Sequence, residues 1–278
     1  MWIPNIPILA YHQIVDDDAP RDPSGLSVSR SQFEAHMRHL HEHGYRCLSV
    51  SEIFPRAEDK PLPTEKAFAL TFDDGYEDFY TNAFPILARY GFTATVFLVS
   101  DMIGKSSNWD GEENSPLLSW QQIRALHKEN ISFGSHTHTH PHLPYLSNKR
   151  ASYELTVSKQ HLEHELGHEV SVFSYPYGES TPEIQKMAEA AGYGVAFGVA
   201  TGRSGPFNVW RSECGSHDTP KMFAFKLTRM YREMMGMRIF LREETKVGRL
   251  IRSVKHHPSL RVLRELSYWG VVSYWGIS

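Results

Sequence analysis

Short apolar runs alternate with amphipathic stretches over most of the chain. This alternation is typical of strand–helix units arranged around a parallel sheet, so we expect an α/β fold. The apolar runs predict strands at Ile8–Tyr11, Ala67–Phe72, Ala94–Val99, Ile131–Gly134, Val170–Tyr175 and Gly194–Phe197.

The amphipathic stretches carry the signals that begin and end helices. Glycine, which adopts the left-handed conformation that closes many helices, follows three of them. These stretches predict helices at Ser31–His43, Glu77–Tyr90 and Pro182–Ala191. Ser119 with Gln122 three residues later has the form of a capping box, which predicts a further helix that runs to Lys128.

Length and composition fit one main domain with an appendage. A chain of 278 residues buries a full core, and single α/β barrels reach this size. Hydrophobic residues make up 41% and charged residues 22%, which argues against disorder and against a membrane-embedded bundle. No run approaches the roughly 20 apolar residues that cross a bilayer. Met1–Asn5 lacks the features of a signal peptide, so we expect a cytoplasmic protein.

The character of the sequence changes near Pro220. From Lys221 to Ser278, 12 basic residues against 4 acidic residues leave a local charge of +8. We predict a main domain over residues 1–220 and a basic, mostly helical extension over 221–278. The extension either packs beside the main domain with a solvated basic face or makes peripheral contact with a membrane. It has no recognisable nucleic-acid motif, so no nucleic-acid partner is expected.

Two adjacent carboxylates follow one of the predicted strands. Asp73 and Asp74 come directly after Ala67–Phe72 and precede Gly75. The active sites of α/β barrels lie at the carboxyl ends of the strands, because the loops that follow the strands converge there. On its own, however, Asp-Asp-Gly is more often a turn in which aspartate caps the next helix.

A histidine pair follows another predicted strand. His136 and His140 stand four residues apart just after Ile131–Gly134, and such a pair can bind one divalent ion from a single local element. Cys47 and Cys214 are the only cysteines, so a cysteine-rich zinc site is excluded. Any metal must therefore take histidine and carboxylate ligands.

These segments resemble two motifs of the polysaccharide deacetylases, the NodB-homology domain of carbohydrate esterase family four. Thr71 to Gly75 reads Thr-Phe-Asp-Asp-Gly, and the histidine pair fits the motif His-Ser/Thr-x-x-His. The resemblance covers about residues 8–228 and implies a single distorted (β/α) barrel. It also implies that Asp74, His136 and His140 hold a divalent metal, commonly zinc with cobalt or nickel as alternatives, and that Asp73 is the general base.

The third motif of the family is altered in this chain. It usually reads Arg-x-Pro-Tyr, and here Ser174 stands in the place of the arginine. The resemblance implies that the backbone N–H of Tyr177 stabilises the oxyanion. Arg211, after the next strand pattern, could supply the missing charge to Asp73; alternatively, it belongs to a surface ion pair.

The last motif of the family, Leu-x-His with the general acid, has no clear equivalent late in the chain. His217 is the candidate there, but it follows no clear strand. By contrast, Pro7–His12 is an apolar run that ends in a histidine, as in the permuted motif order of the poly-β-1,6-N-acetylglucosamine deacetylases. We therefore predict His12, ahead of His217, as the acid that protonates the leaving amine.

Together these residues predict a metal-dependent hydrolase that removes acetyl groups from an N-acetylated amino sugar. The expected partner is an N-acetylated oligo- or polysaccharide, with an exopolysaccharide or a lipid-linked glycan as candidates. Two alternatives stay open: an O-acetyl polysaccharide esterase with the same metal centre, and a catalytically idle carbohydrate-binding domain. The idle domain is disfavoured because Asp73 and all three candidate ligands are retained.

Overall fold

The fold is that of a computed structural model, which describes residues 6–20, 22, 24–54, 66–107, 109, 115–198 and 205–244, with the backbone alone for 237–244. The strands are β1 (Ile8–Tyr11), β2 (Ile14–Val15), β3 (Val28–Ser29), β4 (Arg46–Cys47), β5 (Ala67–Phe72), β6 (Thr95–Leu98), β7 (Ser132–Ser135), β8 (Val172–Ser174), β9 (Val195–Gly198), β10 (Val209–Trp210) and β11 (Ser212–Glu213). The helices are α1 (Arg30–Glu42), α2 (Val50–Ile53), α3 (Phe84–Tyr90), α4 (Trp120–Lys128), α5 (Asn148–Leu166), α6 (Pro182–Ala190), α7 (Pro220–Lys226) and α8 (Arg229–Glu244).

Most of these elements follow the sequence pattern. The strands β1 and β5 have the predicted ends, and the predicted capping box of Ser119 and Gln122 opens α4. The predicted glycine stops are also confirmed, since Gly44, Gly91 and Gly192 have φ angles of 68°, 66° and 88°. The stretch 77–90 differs, because a π-helical turn precedes α3 there, and α5 was not predicted.

The main sheet is parallel and closes nearly into a barrel. Its strand order is β10-β9-β8-β7-β6-β5-β1-β11, with β4 beside β5. The two edge strands, β10 and β11, are consecutive in the chain and are separated by Arg211 alone. One extended segment therefore pairs first with β9 and then with β1, which brings the two edges of the sheet together. The predicted distorted (β/α) barrel is confirmed.

Side chains alternate between an inner and an outer cluster along strands such as β5, β6 and β9. In β5, Ala67 and Ala69 belong to the inner cluster, whereas Phe68, Leu70 and Phe72 belong to the outer one, where they pack with the helices. The outer cluster is much the larger of the two and contains most of the buried helix residues.

Two phenylalanine rings fill the barrel interior. Phe97 and Phe197 lie with their centroids 5.6 Å apart, although two strands separate β6 from β9 in the sheet. This packing depends on Gly134, because a Cβ atom at that position would lie 2.6 Å from the Phe97 ring. The filled interior leaves the carboxyl ends of the strands as the place for polar side chains.

The chain divides into two compact units, Met1–Arg232 and Glu233–Ser278. Helix α7 belongs to the first unit, where Phe223 is buried, and the second unit is described over residues 233–244. The rest of the predicted extension, residues 245–278, lies outside the described residues, and the predicted boundary after residue 220 stays a prediction. Within the described ranges, no helix combines the length and the apolar character that crossing a membrane requires.

Candidate metal centre

The ends of neighbouring strands bring the predicted ligands together. Asp74 follows β5, and His136 and His140 follow β7. Oδ1 of Asp74 lies 3.2 Å from Nε2 of His136 and 3.1 Å from Nε2 of His140. All three residues are buried, and their candidate ligand atoms lie within 4.8 Å of one another. The three side chains therefore converge on one point.

The chemistry of these atoms fits a divalent cation. Nδ1 of His136 lies 2.8 Å from the Ser174 carbonyl oxygen, which only accepts hydrogen bonds, so Nδ1 carries the proton. In the neutral form of this ring, the lone pair of Nε2 is then available to a cation beside Asp74. Oδ1 of Asp74 is itself buried and makes no hydrogen bond within the described residues. A carboxylate oxygen that faces imidazole nitrogens in a buried space is the kind of ligand set that binds zinc.

The backbone around this point is held in an uncommon conformation. Among the residues that the structure describes, five non-glycine residues have a positive φ, and four of them lie here: Asp74 at 70°, Thr137 at 71°, His140 at 61° and Tyr177 at 59°. Such conformations cost about 1–3 kcal/mol each and persist only where the surroundings enforce them. Their concentration at the ends of three strands marks this region as the candidate functional site.

Asp73, next to the ligand Asp74, is bound on both oxygens by Arg211. Nη1 of Arg211 donates to Oδ1 at 2.7 Å, and Nη2 donates to Oδ2 at 2.6 Å. Burial alone raises the pKa of Asp73, but the charge and hydrogen bonds of Arg211 outweigh it and hold the pKa below its ordinary value. Asp73 is therefore an ionised carboxylate at neutral pH.

Arg211 reaches Asp73 from inside the barrel. The guanidinium also donates to the hydroxyls of Thr71 and Ser174, at 3.1 Å and 2.9 Å, and Ser174 donates to Asp73 at 3.2 Å. Arg211 is 1% exposed, so the alternative of a surface ion pair is wrong. The structure thus supplies a positive charge from β10–β11 where the family motif has an arginine at position 174. The catalytic roles of Asp73 and Arg211 stay predictions.

His12 lies beside Asp73 at the ends of paired strands. Tyr11 and Phe72 are register partners in β1 and β5, and the N–H of Asp73 donates to the Tyr11 carbonyl at 3.0 Å. Nδ1 of His12 is buried without a hydrogen-bond partner in the described part of the chain. His217, by contrast, is exposed. The choice of His12 as the general acid stays a prediction.

Aromatic rings surround the ligand His140. Trp109 stacks on its imidazole with centroids 4.3 Å apart, and Tyr177 meets it edge-on at 4.8 Å. The Tyr177 ring also stacks on His142 at 3.7 Å, and Nδ1 of His142 lies 2.9 Å from a carboxylate oxygen of Glu179. The structure therefore brings Tyr177 to the ligands, while the role of its backbone N–H stays a prediction.

Sequence reasoning missed two polar residues that contact the segment His136–His140, the histidine loop. Both Glu154 and Ser158 lie on α5 and are fully buried. They share a stripe of the helix with Ala151, Leu155 and Leu162. A glutamate on a helical stripe that is mostly apolar was the available signal, because a buried carboxylate needs partners.

Comparison with known sequences agrees with this geometry. A family model described as polysaccharide deacetylase matches residues 60–196. The protein YxkH of Bacillus subtilis (strain 168) is 34% identical over 196 residues, which are 70% of this chain and 64% of that protein. The poly-β-1,6-N-acetyl-D-glucosamine N-deacetylase of Escherichia coli (strain K12) is 27% identical over 229 residues, which are 70% of this chain and 34% of that protein. The chain thus spans less than two thirds of the length of either relative.

A solved structure has the same fold over most of the chain. The Streptococcus pyogenes deacetylase PplD, solved in complex with acetate, superposes with a TM-score of 0.69 and 25% sequence identity. The match covers 80% of this chain and 98% of that chain.

Proposed function

The chain belongs to the polysaccharide deacetylase family, and from this we propose that it is a metal-dependent hydrolase that removes acetyl groups from N-acetylated amino sugars in an oligo- or polysaccharide. The observation that carries the proposal is the convergence of Asp74, His136 and His140 beside the Asp73–Arg211 pair. The E. coli relative, which is named as an N-deacetylase of an N-acetylglucosamine polymer, supports the amide of an amino sugar as the substrate.

Asp74, His136 and His140 would hold the metal, for which we propose zinc. When bound, such an ion supplies Lewis acidity, which makes water more acidic and polarises an acyl carbonyl. Asp73 accepts the proton of the attacking water, because Arg211 keeps it ionised and fixes both of its oxygens. His12 donates a proton to the leaving amine, and the backbone N–H of Tyr177 stabilises the developing charge on the carbonyl oxygen.

Acetate release tests this proposal directly. Purified protein is assayed on N-acetylglucosamine oligomers and on an acetyl ester of a polysaccharide, as isolated, after chelation, and after zinc, cobalt or nickel is restored. We expect release from the oligomers that chelation abolishes and metal restores. Faster release from the ester would instead make the protein an esterase, and no acetate from either substrate under any metal would overturn the proposal.

We further propose that the basic segment 221–278 brings a cytoplasmic enzyme to lipid-linked glycans at an anionic membrane surface. Its local charge of +8 supports this contact, since each basic residue near such a surface adds about 1 kcal/mol. The triple substitution Arg249→Glu, Arg252→Glu and Lys255→Glu should reduce cosedimentation with anionic vesicles and leave metal content unchanged. Equal cosedimentation of the variant and the wild type would exclude the idea.

A further inference from the structure

Helix α5 lies behind the histidine loop and presents two polar side chains to it. Glu154 and Ser158 are four residues apart, so they lie on the same face of the helix, and both are fully buried. Burying a carboxylate is costly unless hydrogen bonds and a positive charge compensate for it. The contacts of Glu154 therefore indicate what it does.

Glu154 binds the centre of the histidine loop. Its Oε2 accepts the backbone N–H groups of His138 and Thr139, at 3.0 Å and 2.8 Å. Its Oε1 accepts the Thr139 hydroxyl at 2.9 Å and lies 2.8 Å from the guanidinium of Arg150, one helical turn earlier. A single carboxylate thus fixes the backbone of the two residues directly before His140.

Ser158 binds the beginning of the same loop. Its hydroxyl donates to the carbonyl of Thr137 at 2.9 Å and lies 2.8 Å from the hydroxyl of Ser135. Together with the contacts of Glu154, these bonds tie each of residues 137, 138 and 139 to α5. Thr137 and His140 are also the two residues of the loop with a positive φ, and these contacts offset the cost of that conformation.

We propose that Glu154 and Ser158 are positioning residues of the metal centre, which hold the histidine loop in the strained conformation that lets His136 and His140 meet at one ion. The inference rests on the metal site of the proposed function. Neither side chain is a candidate ligand, so both act through the loop backbone. Their contribution should therefore be visible in metal affinity and in ligand geometry.

The test is the metal affinity of Glu154→Gln, measured by competition with a chelating dye, together with the absorption spectrum of the cobalt-loaded protein. Glutamine keeps the size of the side chain but points an N–H group at donors, so it cannot accept all three hydrogen bonds. We expect the affinity for zinc to fall about 10- to 100-fold, which is typical when a residue that orients metal ligands is replaced, and the cobalt spectrum to change.

Asp218→Asn is the matched control. Asp218 is also a buried carboxylate, with Lys226 Nζ at 2.6 Å and the N–H of Gly215 at 3.1 Å, but it contacts no residue of the histidine loop. A general loss of stability would affect both variants equally. We expect both to unfold at lower temperature than the wild type, whereas only Glu154→Gln should lose metal affinity.

Unchanged zinc affinity and an unchanged cobalt spectrum in Glu154→Gln would overturn the inference. If that variant does not fold, Thr139→Val and Ser158→Ala each remove part of the same set of contacts, and each should weaken zinc binding several-fold. These readouts do not depend on turnover. A wild type that binds zinc but releases no acetate would overturn the proposed function alone, and a wild type that binds no divalent metal would overturn the inference as well.

Discussion

Two carboxylate–cation pairs are buried among the described residues of the first unit, and they differ in what surrounds them. Asp73 and Arg211 meet inside the barrel, beside the candidate ligands and next to the strained backbone of Asp74. Asp218 and Lys226 meet outside the barrel strands, where Lys226 also donates to the Glu213 carbonyl at 2.6 Å. Asp218 precedes α7 and Lys226 ends it, so the second pair anchors that helix.

The difference shows how a buried ion pair with a catalytic role can be told apart from one that only stabilises the fold. Buried pairs are in general weak evidence for stability, because desolvation of the charges offsets much of their attraction. The surroundings are more informative. Asp73 adjoins a residue with uncommon backbone geometry and a buried carboxylate oxygen without a hydrogen bond, whereas Asp218 joins ordinary loop and helix backbone.

The largest expected effect separates the two aspartates by activity. Asp73→Asn should lower the rate of acetate release about 10²- to 10⁴-fold, the range that a general base contributes, because the amide cannot accept the proton of the attacking water. Asp218→Asn should leave the rate within a few-fold of the wild type. Steady-state assays on N-acetylglucosamine oligomers measure both, and similar losses in the two variants would remove the distinction.

The next effect separates the two cations by stability and activity together. Arg211→Met leaves the Asp73 carboxylate buried without its partner, so the free energy of unfolding should fall by about 3–5 kcal/mol and activity should be lost. Lys226→Met should cost a comparable free energy but keep activity. Urea unfolding gives the free energies. Adding Asp73→Asn to Arg211→Met should restore stability without restoring activity, and a double variant as unstable as Arg211→Met would contradict this account.

The pH dependence of stability distinguishes the contact between α1 and α7, which lies beside the Asp218–Lys226 pair, from the barrel interior. His36 on α1 stacks on Phe223 of α7, and burial together with the charges of Lys226 and His39 lowers its pKa to about 3. The unfolded chain, with a histidine pKa near 6.5, therefore takes up a proton first as the pH falls. Stability from this group is complete above pH 6.5 and declines between about pH 6.5 and 3, by up to about 1.4 kcal/mol per pH unit.

The lowered pKa of Asp73 affects stability only at more acidic pH than the lowered pKa of His36 does. Its contribution is complete above the ordinary value of 3.8 and is lost only as the pH falls below it. Urea unfolding at pH 7, 6 and 5 should thus show a slope that His36→Gln reduces. The same substitution at the exposed His41 of α1 should leave the slope unchanged, and equal slopes in the wild type and His36→Gln would show that α7 is not the acid-sensitive part.

The smallest expected effect concerns the residue in place of the family arginine. Ser174→Ala removes a hydrogen bond to Asp73 and an acceptor for Arg211, so activity should fall a few-fold and stability by about 1 kcal/mol. Ser212 is the matched control, since it is buried on β11 directly after Arg211 and its hydroxyl has no partner within the described residues. Ser212→Ala should change neither quantity, and an equal loss in both variants would exclude a specific role for Ser174.

The parts of the fold that the sequence predicted best are those with local signals. Strand β1 is a continuous apolar run, and β5 is one apart from Thr71; every residue of both is buried, and their ends matched the prediction. Helix α5 was missed because its buried stripe includes Glu154 and Ser158, which interrupt the apolar pattern. Those polar residues bind the histidine loop, and this tertiary contact leaves no signal in the local sequence pattern of α5.

The candidate site was predictable in its residues but not in its geometry. Motif spacing identified Asp74, His136 and His140, since each follows a strand. The positive φ of Asp74 and His140 could not be read from the sequence, because glycine is the residue that normally signals this conformation. The contact of Arg211 with Asp73 depends on closure of the barrel, and no local pattern contains that information.

Closure of the barrel at Arg211 has a consequence for the order of folding. The Asp73–Arg211 contact spans 138 residues, whereas the metal ligands lie between positions 74 and 140. The first of these loops is about twice as long as the second, which adds about 0.6 kcal/mol of closure entropy, and contacts distant in sequence tend to form later. We therefore expect the ligand cluster to assemble before the counter-charge arrives, so that a nascent chain captures metal while still unable to catalyse. During refolding, cobalt absorbance should then appear before acetate release recovers. In that case the protein becomes active only when Arg211 reaches Asp73 in the completed barrel.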